Sequence, residues 1–245
     1  MVRTLLLACG VLASLLYGAM IAAVRFDGYS PISQTVSELS AIRAPTRPLW
    51  MLLGSVYDVL VIAFGVGVWM SAGASRALRL VAGVLVAFGL LGWAWPFASM
   101  HQREVPAAGG VPPPDTLHVA LGMVTVLFML VAIGAGAAAF GRRFRLYSIA
   151  TILVLLVCGA LTALDQPRIA ANLPTPWVGV WERVDISAFL LWALVLAIAL
   201  LRVQRAAGTD MRREARRGAC ASGWDPPVEP ERRSKESCPR PRQTA

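Results

Sequence analysis

The chain alternates between long apolar runs and short polar connections. The runs cover 4–24, 49–74, 77–97, 117–140, 146–164 and 184–201, each almost free of charge. A helix rising about 1.5 Å per residue needs about 20 residues to cross roughly 30 Å of hydrocarbon. Each run therefore predicts a membrane-spanning helix, and the fold class is all-α, an integral membrane bundle of about six transmembrane helices. The first run is longer than the apolar core of a secretory signal and lacks a clean small-residue cleavage site after it, so it is expected to persist as the first helix.

Composition sharpens this picture. With 57 % hydrophobic and 15 % charged residues and a mean hydropathy of +0.62, the chain needs a solvent other than water. The net charge of +9 does not point to nucleic acid, because its arginines sit between the apolar runs and in the C-terminal segment. Arginines near span ends resist translocation. Arg76, Arg79, Arg142, Arg143 and Arg145 lie in short turns that hold no acidic residue, whereas the alternate connections carry Asp27, Glu38, Glu104, Asp115, Asp165, Glu182 and Asp185. The short turns and both termini are accordingly expected in the cytoplasm, with the protein in the plasma membrane. Two parts follow: a six-helix transmembrane domain over 1–203, and a basic tail over 204–245 whose polar composition predicts disorder and contact with anionic lipid.

The connections differ in character. Those near 71–76 and 141–145 are tight enough for antiparallel hairpins. In the first long connection Thr35-Val36-Ser37-Glu38 matches a capping box, which predicts a short helix lying at the surface. The second, with Gly109-Gly110 and Pro112-Pro113-Pro114, and the third, with Pro167, Pro174 and Pro176, read as irregular. Trp50, Trp95, Trp177 and Trp181 suit one interfacial belt and Trp69 the other, whereas Trp192 sits too deep and predicts helix packing. Gly65, Gly67, Gly134 and Gly136 would let helices approach closely.

The stretch from Tyr29 to Leu39, Tyr-Ser-Pro-Ile-Ser-Gln-Thr-Val-Ser-Glu-Leu, together with Asp115-Thr116-Leu117-His118, resembles the bacterial multi-pass membrane family catalogued as domain of unknown function 998. The resemblance covers roughly residues 5 to 203. It implies a multi-pass helical membrane protein and supplies no catalytic roles.

Candidate chemistry starts at Asp58, which stands inside the second apolar run with Ser55 one turn away on the same face. An ionised carboxylate in hydrocarbon costs about 2.5–3.5 kcal/mol on insertion scales, so Asp58 either shares a hydrogen bond with a neighbouring helix or faces a wet cavity where it binds a cation or a proton. Asp115 and His118 are three apart at the start of the fourth run, and Glu182 and Asp185 repeat that spacing before the sixth. These four could hold a divalent cation, with His101, Glu38 or Asp165 in reserve, or could simply cap helix N-termini. His118 also suits acid or base chemistry. Arg168 and Arg183, beside Trp177 and Trp181, could grip a lipid phosphate or serve as interface anchors. Ser33, Ser37 and Ser40 lack the surroundings of a nucleophile. There is no Walker A loop, no H-E-x-x-H and no dinucleotide fingerprint, and no cofactor is named by any motif.

Matching depths along the runs places Ser55, Asp58, Thr125, Thr162 and Ser187 at one level, beneath a rim of His118, Asp115 and Asp185. Three readings follow. The first is an outward-facing pocket that binds or transports a lipid-like or cationic small molecule, with Ser55, Asp58, His118, Asp185 and Arg183 as ligand-binding residues. The second is a membrane-embedded lipid-modifying enzyme of hydrolase type using His118, Asp115 and Asp58. The third is a structural or accessory membrane protein. Membrane lipids are the expected partners in all three.

Overall fold

The computed structural model describes residues 1–109 and 113–221. Seven α-helices follow one another: α1 Val2–Ala23, α2 Arg47–Ser71, α3 Arg76–Gly92, the short α4 Glu104–Gly109, α5 Pro113–Ala139, α6 Arg142–Ala170 and α7 Val178–Ala221, with 3₁₀ turns at Ser37–Ser40 and Trp95–Phe97. Among the described residues six helical segments are long and apolar enough to cross a membrane. Each matches one predicted run, the runs 4–24, 49–74 and 117–140 reaching one to three residues past the helix end. The prolines at 113 and 114, expected in an irregular connection, instead open α5, where a missing N–H costs nothing because the first turn has no intrahelical acceptor for it. The second connection also contains α4, and Pro167 lies within the last turn of α6 rather than outside it.

The chain divides into two units, Met1–Leu201 and Arg202–Ala245. Helix α7 continues to Ala221, through the first part of the segment that composition assigns to the tail. Its Ala, Arg and Glu residues are strong helix formers. The remainder of the predicted tail, 222–245, lies outside the described residues.

Within the first unit, glycines set the helix spacing. A Cβ on Gly65 would meet Val86 and the backbone of α3, one on Gly67 would meet the backbone of α1 at Leu6 and Leu7, and one on Gly10 would strike the Phe64 ring. A Cβ on Gly136 would strike the Trp192 indole, whereas one on Gly134 would face open space. Backbones can approach this closely only where side chains are absent, which is how apolar helices gain packing energy in lipid. The α2–α3 turn needs Gly73 at φ +51°, and Ser75 Oγ caps α3 by accepting from Leu78 N. Trp192, 0 % exposed, donates from Nε1 to Ser148 Oγ at 3.0 Å and stacks on Phe189. Its predicted packing role is what the structure displays.

Candidate functional site

The three long connections fold together into a cap. Its centre is Glu38, whose side chain is fully buried. The capping box forms, since Thr35 N donates to Glu38 Oε1 at 3.0 Å and Glu38 N donates to Thr35 Oγ1 at 3.3 Å. It does not lie at the surface. Val36, Glu38 and Leu39 are all buried, because the segment supplies apolar side chains to a cluster with Met20, Ile21, Tyr29 and Trp50. Arg103 reaches Glu38 from the second connection with Nη2–Oε1 at 2.6 Å and Nε–Oε2 at 3.1 Å. Its remaining donors go to Ser33 O and to Thr175 Oγ1, and Gln34 Nε2 completes the shell around Glu38. One guanidinium thereby ties together segments far apart in sequence.

Arg183 makes a second knot. Its Nη1 donates to the carbonyls of Pro31, Gln34 and Gly179, and its Nη2 to Tyr29 Oη at 2.6 Å. Tyr29 Oη in turn donates to Thr35 O at 2.7 Å. Burial pushes the Tyr29 phenol up to about 12, against the opposing pull of the adjacent Arg183 charge. Gly179 N donates to Ile32 O at 2.9 Å, and a Cβ at Gly179 would overlap the carbonyl oxygens of Pro31 and Gln34 and crowd that of Ile32. Glu182 accepts from Val36 N and from Ser37 Oγ. Arg183 was expected to hold ligand, but its Nη1 and Nη2 are committed to these carbonyls and to Tyr29, its Nε is buried without a partner among the described residues, and it does not line the cavity below.

Under the cap lies a cavity of about 490 Å³. Val36, Ser37 and Ser40 form its roof, and its wall is contributed by Tyr17 of α1, Trp50, Ser55 and Asp58 of α2, Phe88 and Gly92 of α3, His118 and Thr125 of α5, Gly159 and Thr162 of α6, and Glu182, Asp185 and Phe189 of α7. Of the residues predicted for a common level, Ser55, Asp58, Thr125 and Thr162 meet here, joined by His118 and Asp185. Ser187 and Asp115 do not. Ser187 turns to the exposed side of α7, and Asp115 is held elsewhere by His101, whose N and Nδ1 both approach Asp115 Oδ1, at 2.8 and 2.9 Å. Trp50, expected in an interfacial belt, is buried on the cavity wall edge-on to Tyr17.

Asp58 and Asp185 are each 7 % exposed. Among the described residues Asp58 takes part in no hydrogen bond or ion pair, and Asp185 Oδ1 is a buried oxygen without a partner. Each carboxylate faces a glycine on another helix: a Cβ on Gly92 would occupy the Asp58 carboxylate, and one on Gly159 would come within 3.9 Å of Asp185 Oδ1. No Arg or Lys among the described residues lines the cavity. The Ser55 hydroxyl is spent on Met51 O in its own helix.

The proposed metal quartet of Asp115, His118, Glu182 and Asp185 does not assemble, and no group of three or more His, Cys, Asp or Glu among the described residues is arranged to hold a metal ion. His118 Nδ1 lies 2.8 Å from Ala98 O, so this nitrogen carries a proton and donates it to the carbonyl. The i, i+3 spacing puts Asp115 and His118 on one helix face, yet each finds a nearer partner. The pairing expected of a His and carboxylate hydrolase is therefore not formed. Arg168 remains half exposed beside Asp165 at 4.0 Å.

The helices and their apolar surfaces define a multi-pass, all-α integral membrane protein. Residues 7–199 match the model of a family described as a protein of unknown function, DUF998, and the chain belongs to that family. No curated protein and no solved structure shows a significant match to the chain.

Proposed function

We propose that this protein binds, and moves across the membrane, a small amphipathic molecule bearing a positive charge. The observation that carries this reading is Asp58, a buried carboxylate on the cavity wall with no partner. Uncompensated carboxylates in a medium of low dielectric constant attract a cation strongly. The surrounding Tyr17, Trp50, Tyr57, Phe88, Trp95 and Phe189 offer ring faces that favour cations and an apolar bed for a hydrocarbon body. Tryptophans on the wall provide the readout. Titrating purified protein with tetraphenylphosphonium and with dodecyltrimethylammonium should quench their fluorescence saturably, and Asp58→Asn should weaken binding of both at least about tenfold, the equivalent of about 1.4 kcal/mol. Saturation unchanged by that substitution would sink the assignment of Asp58.

We also infer from the arginine distribution that the short turns and both termini face the cytoplasm of a cell membrane, so that the cap and cavity face outward. A reporter fused after Arg205, or a tag in the turn at Arg142 to Arg145, should read as cytoplasmic. The opposite result would turn the cavity inward.

A further inference from the structure

We propose that the cavity is a proton–cation exchanger, in which the arriving organic cation displaces protons held by Asp58 and Asp185. This rests on the cation-site reading above. The two carboxylates stand on different helices, α2 and α7, and both border the same space. Neither is engaged by an arginine, in contrast to Glu38. The other titratable groups facing the cavity are Tyr17 on α1, Tyr57 on α2, His118 on α5 and Glu182 on α7, and α3 and α6 contribute none to its wall. Glu182 is already occupied by Val36 N and Ser37 Oγ, and His118 by Ala98 O. The empty cavity therefore supplies no positive charge of its own, and one proton on each carboxyl group is the neutralising partner that remains. When a cation enters, it provides that charge. One O–H bond breaks for each unit of positive charge that enters, its proton passes to bulk water, and the carboxylate so formed pairs with the cation.

Gly92 and Gly159 fit this scheme, because the Asp58 carboxylate fills the place a Cβ on Gly92 would take, and Gly159 offers Asp185 Oδ1 no side chain to pair with. A purely structural aspartate would be expected to find a hydroxyl or amide on the neighbouring helix. Here both meet glycine.

The decisive measurement is calorimetry of tetraphenylphosphonium and dodecyltrimethylammonium binding to the full-length protein near pH 7, in two buffers of different protonation enthalpy. Exchange predicts a heat that differs between buffers by about one proton released per cation, and an affinity that rises about tenfold per pH unit. Asp185→Asn, checked for an unchanged elution volume and circular dichroism, should still bind but release fewer protons. Binding with no buffer dependence would overturn exchange and leave the cation site standing. Failure of both cations to bind the unaltered protein would overturn the cation site itself, and exchange with it.

Discussion

Glu38 and Asp58 are both buried carboxylates, and the protein treats them in opposite ways. Glu38, in the cap, accepts hydrogen bonds from Arg103, Gln34 and Thr35 until its oxygens are saturated. Asp58, in the cavity, accepts none among the described residues. A chain able to build the first arrangement has the means to build the second. The difference shows that burial by itself does not mark a working site; burial together with an unmet demand for a partner does.

The contrast can be broken most sharply at Arg103. Arg103→Met leaves Glu38 buried without its counter-charge and should lower stability by about 3–5 kcal/mol, read as a large fall in the melting temperature of the detergent-solubilised protein. Adding Glu38→Leu in the same chain should restore a substantial part, and no restoration would show that the pair acts through something other than its charges. Gly179→Ala comes next, since its methyl group would press on the carbonyls of the first connection; a loss of about 1–3 kcal/mol is expected. Asp58→Asn should change stability by less than about 1 kcal/mol while weakening cation binding. An equal collapse at Asp58 and Arg103 would erase the distinction between the two regions. A separate effect lies at alkaline pH. Tyr29 titrates at an ordinary 10.0 when unfolded and at about 12 in the cap, chiefly through burial. Between those values the folded chain keeps a proton that the unfolded chain has lost, so this stabilisation is complete below about pH 10 and disappears as pH rises through about 12. A stability profile of Tyr29→Phe should lack that portion of the alkaline decline.

The spans and Asp58 were legible in the sequence for the same reason: a long charge-free run is unambiguous, and a single carboxylate within one is conspicuous. Arg103 was not, because it stands in a proline-rich connection and its partner Glu38 lies 65 residues earlier. Only the folded cap brings them together. The pairing expected of Asp115 with His118 failed for a related reason, since helical spacing reports which residues share a face but not which competitor, here His101, arrives from outside the helix. Trp50 misled through chemistry rather than distance. An indole that suits the headgroup layer suits a semi-polar cavity wall equally well. The glycines opposite Asp58 and Asp185 carried no signal of their own, because what matters at Gly92 and Gly159 is the side chain they lack.

The knots that close the cap also impose an order on biogenesis. Helices enter a membrane in the sequence in which they leave the ribosome, and the first connection is complete long before the groups that satisfy it exist. Glu38 must wait for Arg103, Arg103 for Thr175, and the carbonyls of Pro31 and Gln34 for Arg183. Until Arg103 emerges the chain thus exposes a carboxylate without its counter-charge, and the carbonyls of Pro31 and Gln34 stay bare until the last helix arrives. A truncated or wrongly threaded chain would keep those groups on display, giving proteases that survey membrane proteins a means of telling a finished molecule from an unfinished one.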